Sequence, residues 1–211
     1  MTDIDYSDGK QIFTSFLQRN FEPDFTQKFE LLTKLYFEVN SVINISALRK
    51  EGDVYIKHYL DSIYPHKHFE GECCDVGCGG GFPCIPLAIV TGLPFTGLDS
   101  VGKKLTLINR CKTELGIDIT SIHARAEDIS KTDKRFDTVC ARAVSDVDKT
   151  LSYCAPLAKQ GGHIVLYKTQ NETKADAKTE NKQQVRLVEV EDYTLFSTDI
   201  KRRVFVYEKL K

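Results

Sequence analysis

No stretch of the 211-residue sequence approaches the roughly 18 consecutive apolar residues that a membrane-spanning helix needs, so no membrane partner is expected. Met1 to Asp8 carries three aspartates and no basic residue before the first apolar run, unlike a secretory leader, and the sequence predicts a cytoplasmic protein. Charge of one sign is lacking as well: 29 Lys and Arg stand against 30 Asp and Glu, for a net charge of -1. That balance argues against indiscriminate coating of nucleic acid, which requires excess cations to neutralise phosphates. No internal repeat is visible. Nor is there a disulfide framework, because the seven cysteines are an odd number and four of them (Cys73, Cys74, Cys78, Cys84) crowd into twelve positions around a glycine-rich turn. On a strand, adjacent Cys73 and Cys74 point to opposite faces, unlike the paired spacing of a structural zinc site. Reduced thiols filling a core are predicted, and no metal is expected.

What is present suits a folded chain. Hydrophobic residues make up 41% and charged residues 28%, and a chain of this length buries roughly 70% of its unfolded-state surface without staples. Two basic stretches stand out locally. Ser100 to Lys112 holds Lys103, Lys104, Arg110 and Lys112 with no acid, and Lys201 to Lys211 holds five cations against Glu208. They permit contact with RNA, or are solvated surface.

The opening reads as helical. Ile12, Phe13, Phe16 and Leu17, then Phe25, Phe29, Leu32, Leu35, Tyr36 and Val39, keep apolar groups on one helix face. Pro23 suits the first turn of the second helix, and Asp53 suits the N-cap of a third that Pro65 stops. Residues 1–64 are therefore predicted to form a helical cap on a domain spanning 65–211, the two making one unit. After Gly71, short apolar runs alternate with helical stretches: Cys73 to Val76, Phe95 to Asp99, Ile119 to His123, Phe136 to Ala141 and His163 to Lys168. This alternation predicts an α/β fold with a mainly parallel sheet. Val185 to Val190 and Val204 to Tyr207, with no long helix between them, suit an antiparallel hairpin. The polar stretch Thr169 to Gln184 reads as a solvated helix or mobile loop ahead of an RNA-contacting stripe.

The strongest signal is Asp75-Val76-Gly77-Cys78-Gly79-Gly80-Gly81-Phe82-Pro83, which follows a predicted strand and opens a helix. Glycines remove β-carbons from the bend, so backbone can approach a ligand closely. A dinucleotide fingerprint would need glycine where Phe82 or Cys84 stands. The turn suits instead a nucleoside with an amino-acid tail, of which S-adenosylmethionine is the prime candidate. Asp99, at the end of the next strand, can accept hydrogen bonds from both hydroxyls of a ribose, a geometry that would also serve NAD. Ala126 and Glu127 follow the third strand, where a backbone N–H and a carboxylate can meet an adenine edge; Glu127 is equally well a helix N-terminal charge.

From about Asn44 to Lys168 the sequence resembles the bacterial RsmG (GidB) methyltransferases, which modify N7 of a guanine in 16S ribosomal RNA. The resemblance is carried by Asn44-Ile45-Ser46-Ala47-Leu48-Arg49, Lys57-His58-Tyr59-Leu60-Asp61-Ser62, the glycine turn continuing to Ala88, Leu98-Asp99-Ser100 with Gly102-Lys103-Lys104, Arg125-Ala126-Glu127 and Arg142-Ala143-Val144. It implies a Rossmann-like class I S-adenosylmethionine-dependent methyltransferase with a seven-stranded sheet and an N-terminal helical extension. It also implies cofactor contacts at Gly77, Phe82, Ala126, Glu127 and Arg142, to which the ribose geometry adds Asp99. The family often has glycine where this chain has Cys84 and Thr169.

N7 of guanine offers a lone pair in the neutral base, so no general base is expected, and Arg142 and Lys168 at strand ends are the expected positioning residues. Lys103, Arg125, Lys168 and His58 are the expected contacts to the RNA, which would be 16S rRNA or the small ribosomal subunit, met by a monomer. His58 and Asp61, three apart, either line the pocket or tie the cap to the domain. Two other readings stay open: a methyltransferase for a small molecule or protein, and an RNA module that binds S-adenosylmethionine without turnover.

Overall fold

The computed structural model describes residues 6–211, so the first five residues of the acidic start lie outside the described residues. Helices come first, as the apolar spacing predicts. α1 (Gly9–Asn20) buries Phe13, Phe16 and Leu17, and α2 (Thr26–Ile43) buries Phe29, Leu32, Leu35, Tyr36 and Val39. The rings of Phe13 and Phe29 meet edge-on at 4.6 Å, with Tyr59 against both. Such pairs add about 0.5 to 1.5 kcal/mol each beyond the apolar area they bury.

Two helix starts differ from expectation. Pro23 lies before α2 and outside its first turn, because the Asp24 carboxylate accepts from both the N–H (2.9 Å) and the hydroxyl (2.6 Å) of Thr26 and opens the helix there. Asp53 is no N-cap: α3 (Glu51–Val54) begins two residues earlier, and Asp53 pairs with Lys57 at 2.8 Å. The chain then widens into a π-helix over Tyr55–Leu60 and tightens again as α4 (Asp61–Ile63), and the α-helical run stops before Pro65. π-helical turns inside α-helices are rare and concentrate at functional sites.

Seven strands follow: β1 (Cys73–Val76), β2 (Phe95–Asp99), β3 (Ile119–His123), β4 (Phe136–Arg142), β5 (Ala158–Lys168), β6 (Val185–Thr194) and β7 (Lys201–Lys209). Their order in the sheet is β3-β2-β1-β4-β5-β7-β6. The first five run parallel, and β7 lies antiparallel between β5 and β6. The predicted hairpin therefore forms, but its second strand is the one that joins the sheet.

Each face of the sheet carries its own core. Cys73 belongs to the cluster shared with the cap and with α5 (Cys84–Thr91), whereas Cys74 belongs to the cluster under α8 (Val147–Cys154), as strand alternation requires. All seven cysteines are buried free thiols, and burial pushes Cys73 and Cys111 up to about 12. Helix α5 is buried over its whole length to Val90, which explains why its sequence is apolar all round. By contrast α9 (Ala177–Gln183) buries no side chain and is a solvated helix capped by Asp176. Where the cap hands over to the sheet, His68 and Lys67 meet Glu191 of β6 at 2.8 and 3.0 Å; His68, Glu189 and Glu191 are grouped closely enough to suit a cation, and the Lys67 ammonium supplies one. Among the described residues no helix is long and apolar enough to cross a membrane.

Candidate functional site

The carboxyl ends of β1, β2 and β3 open together on one edge of the sheet, where open α/β sheets hold ligands. Here lies a cavity of about 280 Å³ lined by Val76 and Gly77 after β1, Asp99 to Val101 with Lys104 after β2, and Ala124 to Glu127 after β3. Gly77, the first glycine of the turn, lines it. Gly77 has φ +70, and a β-carbon there would stand 2.9 Å from the Val144 side chain; Gly79, at φ +53, faces open space. Only a chain without β-carbons takes this shape and leaves room above it.

Asp99 holds the turn in place. One oxygen of its carboxylate accepts from the Gly79 N–H at 2.9 Å and the other from the Val101 N–H at 2.8 Å. A carboxylate offers about four acceptor positions, so each oxygen keeps capacity for a further donor. Ala126 and Glu127 open the short helix α7 (Ala126–Ile129), with Arg125 flanking it and exposed. Lys103, in a single 3-10 turn over Gly102–Leu105, is also exposed, outside the cavity lining that takes in its neighbour Lys104.

A second cavity, of about 350 Å³, adjoins this one and is built of side chains. Four cations (Lys57, Arg142, Lys168, Arg202) and two carboxylates (Asp61, Glu172) line it, together with His58, Tyr167 and the Ala143 and Ser145 backbone region. The partition is the segment after β4: Val144 lines the first cavity, while Arg142, Ala143 and Ser145 line the second. Ala143 turns the chain with φ +56, a left-handed conformation that costs a non-glycine residue about 1 kcal/mol and that sends successive side chains to opposite sides.

Arg142 is the centre of the second cavity. Its guanidinium donates to the Lys57 carbonyl (3.1 Å), to Asp61 (3.0 Å) and to His58 Nδ1 (3.2 Å). Asp61, nearly buried, also receives Arg202 Nε at 2.9 Å, so its two oxygens are each held by an arginine, one from β4 and one from β7. Since a guanidinium can only donate, Nδ1 of His58 is bare and its proton sits on Nε2, which reaches the Ser46 hydroxyl at 2.9 Å. Burial first, then the Arg142 charge, pushes His58 down to about 3, and the ring is neutral. Phe82 stacks on that ring at 4.2 Å and 4°. Thus the glycine turn touches the arginine network through a neutral imidazole.

Lys168, its side chain 3% exposed, donates to the Ser145 carbonyl and the Thr150 hydroxyl (3.4 Å) and pairs with Glu172 at 3.3 Å. On β1, Asp75 is fully buried. One of its oxygens accepts from the Cys84 N–H at 3.2 Å and the other has no partner among the described residues. Burial raises this carboxyl to about 7, against the pull of the Cys84 hydrogen bond and Arg142.

The residues expected from sequence are thus divided. Gly77, Asp99, Ala126, Glu127 and Arg125 share the first cavity; His58, Arg142 and Lys168 share the second; Phe82 lies buried behind the turn and lines neither. His58 and Asp61 both line the cavity and both tie the cap to the sheet through Arg142, so the two alternatives for them coincide. Arg202, Glu172, Tyr167 and Ser46 were not foreseen as site residues. No spacing links Arg202 to Asp61 across 141 positions, and only a three-dimensional fold brings them together.

Comparison with known proteins shows the family to which the chain belongs. The family described as GidB, rRNA small subunit methyltransferase G, matches residues 25–205. A protein named ribosomal RNA small subunit methyltransferase G from Lactobacillus acidophilus is 36% identical over 92% of this chain and 88% of its own length. One of the same name from Staphylococcus aureus is 39% identical over 68% of this chain and 63% of its own. Among solved structures, the magnesium protoporphyrin IX methyltransferase of Synechocystis, crystallised with bound S-adenosylmethionine, superposes with a TM-score of 0.55 over 99% of both chains at 15% identity. TrmN from Thermus thermophilus does so with a TM-score of 0.51 over 71% of this chain and 47% of its own, at 18% identity. These two likenesses show the fold, that of class I methyltransferases.

Proposed function

Since the chain belongs to the GidB family of small-subunit rRNA methyltransferases, we propose that it transfers a methyl group from S-adenosylmethionine to N7 of a guanine in 16S ribosomal RNA. The observation that carries this reading is the pair of cavities separated by the segment 142–145, one at the glycine turn suited to a nucleoside cofactor and a cationic one suited to a nucleotide.

The fit of the cofactor rests on the cradle itself. Gly77 leaves space clear where a β-carbon would stand against Val144, and Asp99 presents unfilled acceptor positions where ribose hydroxyls lie. Ala126 and Glu127 would meet the adenine edge and Arg142 would act from the partition, while Phe82 would act from behind the turn through its stack on His58. When bound, the cofactor supplies an electrophilic methyl carried on a sulfonium. Every other task falls to the protein.

Guanine N7 attacks with a lone pair it already has, so no residue needs to remove a proton. The chain positions the nucleophile instead, and the positioning groups are Arg142 and Lys168, both held rigidly by partners on more than one element. A neutral His58 beside Arg142 keeps the cavity from gaining a further cation as pH falls toward 5. Exposed Lys103 and Arg125 on the rim meet RNA phosphates, which fix register without reading sequence. The cap over 1–64 and the domain over 65–211 act as one unit, and the protein works as a monomer in the cytoplasm, where ribosomal subunits are made.

The test is methyl transfer from labelled cofactor to small ribosomal subunits taken from cells without the gene, followed by digestion to nucleosides. Label is expected in 7-methylguanosine. Label in another nucleoside, in ribosomal protein or in a small molecule instead would overturn the proposal.

A further inference from the structure

None of Asn44 to Arg49, the first segment that carries the family resemblance, lines either cavity. The segment is nonetheless pinned to α2. Buried Asn40 accepts the Ser46 N–H at 3.0 Å and donates to the Leu48 carbonyl at 3.2 Å, and the Tyr36 hydroxyl donates to the same carbonyl at 3.0 Å. Ser46 is thereby held beside the π-helical turn that carries His58. Its hydroxyl oxygen accepts from the Leu48 N–H at 3.2 Å and from His58 Nε2 at 2.9 Å, which fills both of its acceptor positions.

The far side of the imidazole bears on Arg142 in a particular way. The Lys57 carbonyl and Asp61 both engage Nη1 of the guanidinium, at 3.1 and 3.0 Å, whereas among the described residues Nη2 has His58 Nδ1 as its sole partner, at 3.2 Å. Two anchors on one nitrogen leave the guanidinium plane free to turn about it. The contact on Nη2 removes that freedom, provided that the ring keeps a bare nitrogen there.

Phe82 does not secure this condition. Its stack on His58, at 4.2 Å and 4°, fixes the plane of the ring, but a half-turn about Cβ–Cγ preserves that plane and replaces Nδ1 by a carbon. Such a turn also takes Nε2 away from Ser46. The serine hydroxyl therefore selects one of two orientations that the stack accepts equally.

We propose that Ser46 is a positioning residue for methyl transfer: by accepting from His58 Nε2 it keeps Nδ1 turned toward Arg142, which holds the guanidinium plane in place at the acceptor cavity. This rests on the reading of Arg142 as a group that positions the acceptor base.

The experiment joins imidazole nitrogen NMR at pH 7 to kinetics on small ribosomal subunits, with the His58 resonances identified by their absence from His58→Gln. In the wild type, His58 is expected to show a protonated Nε2 and a bare Nδ1, a result that needs no Ser46 variant. Ser46→Ala is expected to shift both resonances and to lower kcat about tenfold, with KM for subunits and affinity for S-adenosylmethionine within about twofold of wild type. Ser46→Thr keeps the hydroxyl and should restore both the spectrum and kcat. A protonated Nδ1 in the wild type overturns the assignment. So does an unchanged kcat in Ser46→Ala, a loss of kcat with the His58 resonances unmoved, or a threonine variant as impaired as the alanine one. The labelled nucleoside made by the wild type reads the underlying proposal separately. If it is 7-methylguanosine and Ser46→Ala turns over normally, Ser46 alone is removed; if it is any other product, the guanine-N7 reading falls, and the His58 spectra still decide whether Ser46 sets the ring.

Discussion

The cofactor cavity takes most of its wall from loops after three adjacent strands, at 76–77, 98–101 and 124–127, whereas the acceptor cavity takes its wall from side chains at 57–61, 142–145, 167–172 and 202. One is built mostly of loop backbone and small or apolar residues, with the Asp99 carboxylate holding the turn. The other is a lattice of charges, each balanced by a partner from a different element. The first is therefore robust to changes around it and sensitive at its glycines, and the second is only as stable as its least replaceable ion pair. Breaking a buried pair leaves an uncompensated charge, a far larger penalty than loss of a surface contact.

The largest expected effect lies in the charged lattice. Arg142→Ala leaves Asp61 with Arg202 alone and leaves His58 Nδ1 without a donor, so stability to urea should fall by about 3 kcal/mol or more. Methyl transfer to small subunits should fall at least as steeply, measured on the fraction still folded. Retention of near wild-type stability would show that the lattice is looser than its distances imply.

In the backbone cavity the expected effect is smaller and confined to the cofactor. Asp99→Ala should weaken S-adenosylmethionine binding by about 1 to 3 kcal/mol, read by calorimetry, with the fold retained. Unchanged affinity would mean that the ribose lies elsewhere.

Proton linkage adds a further test, because two buried titratable groups, His58 in the charged lattice and Asp75 on β1, shift in opposite senses. His58 is held down to about 3, so the native state resists a proton that the unfolded chain accepts below about 6.5, and its contribution to stability is lost as pH falls, by about 1.4 kcal/mol per pH unit. Asp75 is raised to about 7, so the native state keeps a proton that the unfolded chain has released, and stability is lost as pH rises from about 4 toward 7. Denaturation between pH 5 and 8 should accordingly show His58→Gln gaining on the wild type toward acid and Asp75→Asn gaining toward base. Parallel slopes in both variants would refute the assignment.

Least is expected at the rim. Lys103→Ala and Arg125→Ala should each reduce the salt dependence of subunit binding by about one unit of slope and leave cofactor affinity untouched. A change in cofactor affinity on Arg125→Ala would assign this cavity-lining residue to the cofactor in place of the RNA.

How much of this was legible follows the same division. Three strands, Cys73–Val76, Phe95–Asp99 and Ile119–His123, are bounded in the structure where apolar runs end in turn residues, and the glycine turn lies between a strand and a helix as its composition requires. Helix starts were less legible. The Asp24 to Thr26 turn outcompeted Pro23 as the start of α2, and Asp53 found Lys57 one turn on in place of backbone donors. The π-helical stretch that carries His58, Tyr55–Leu60, was not legible in the apolar spacing, which predicts only a helix there.

By itself the sequence determined the order of the elements, the opposite facing of Cys73 and Cys74, and the bend that receives a nucleoside, because all of these follow from alternation and φ preferences within a few residues. Only the tertiary structure decided that β7 inserts beside β5 and that Asp61 is clasped by arginines 81 and 141 positions away. Charge pairs carry no periodicity; a carboxylate's partner is whichever cation the fold brings within hydrogen-bonding distance once water has been excluded.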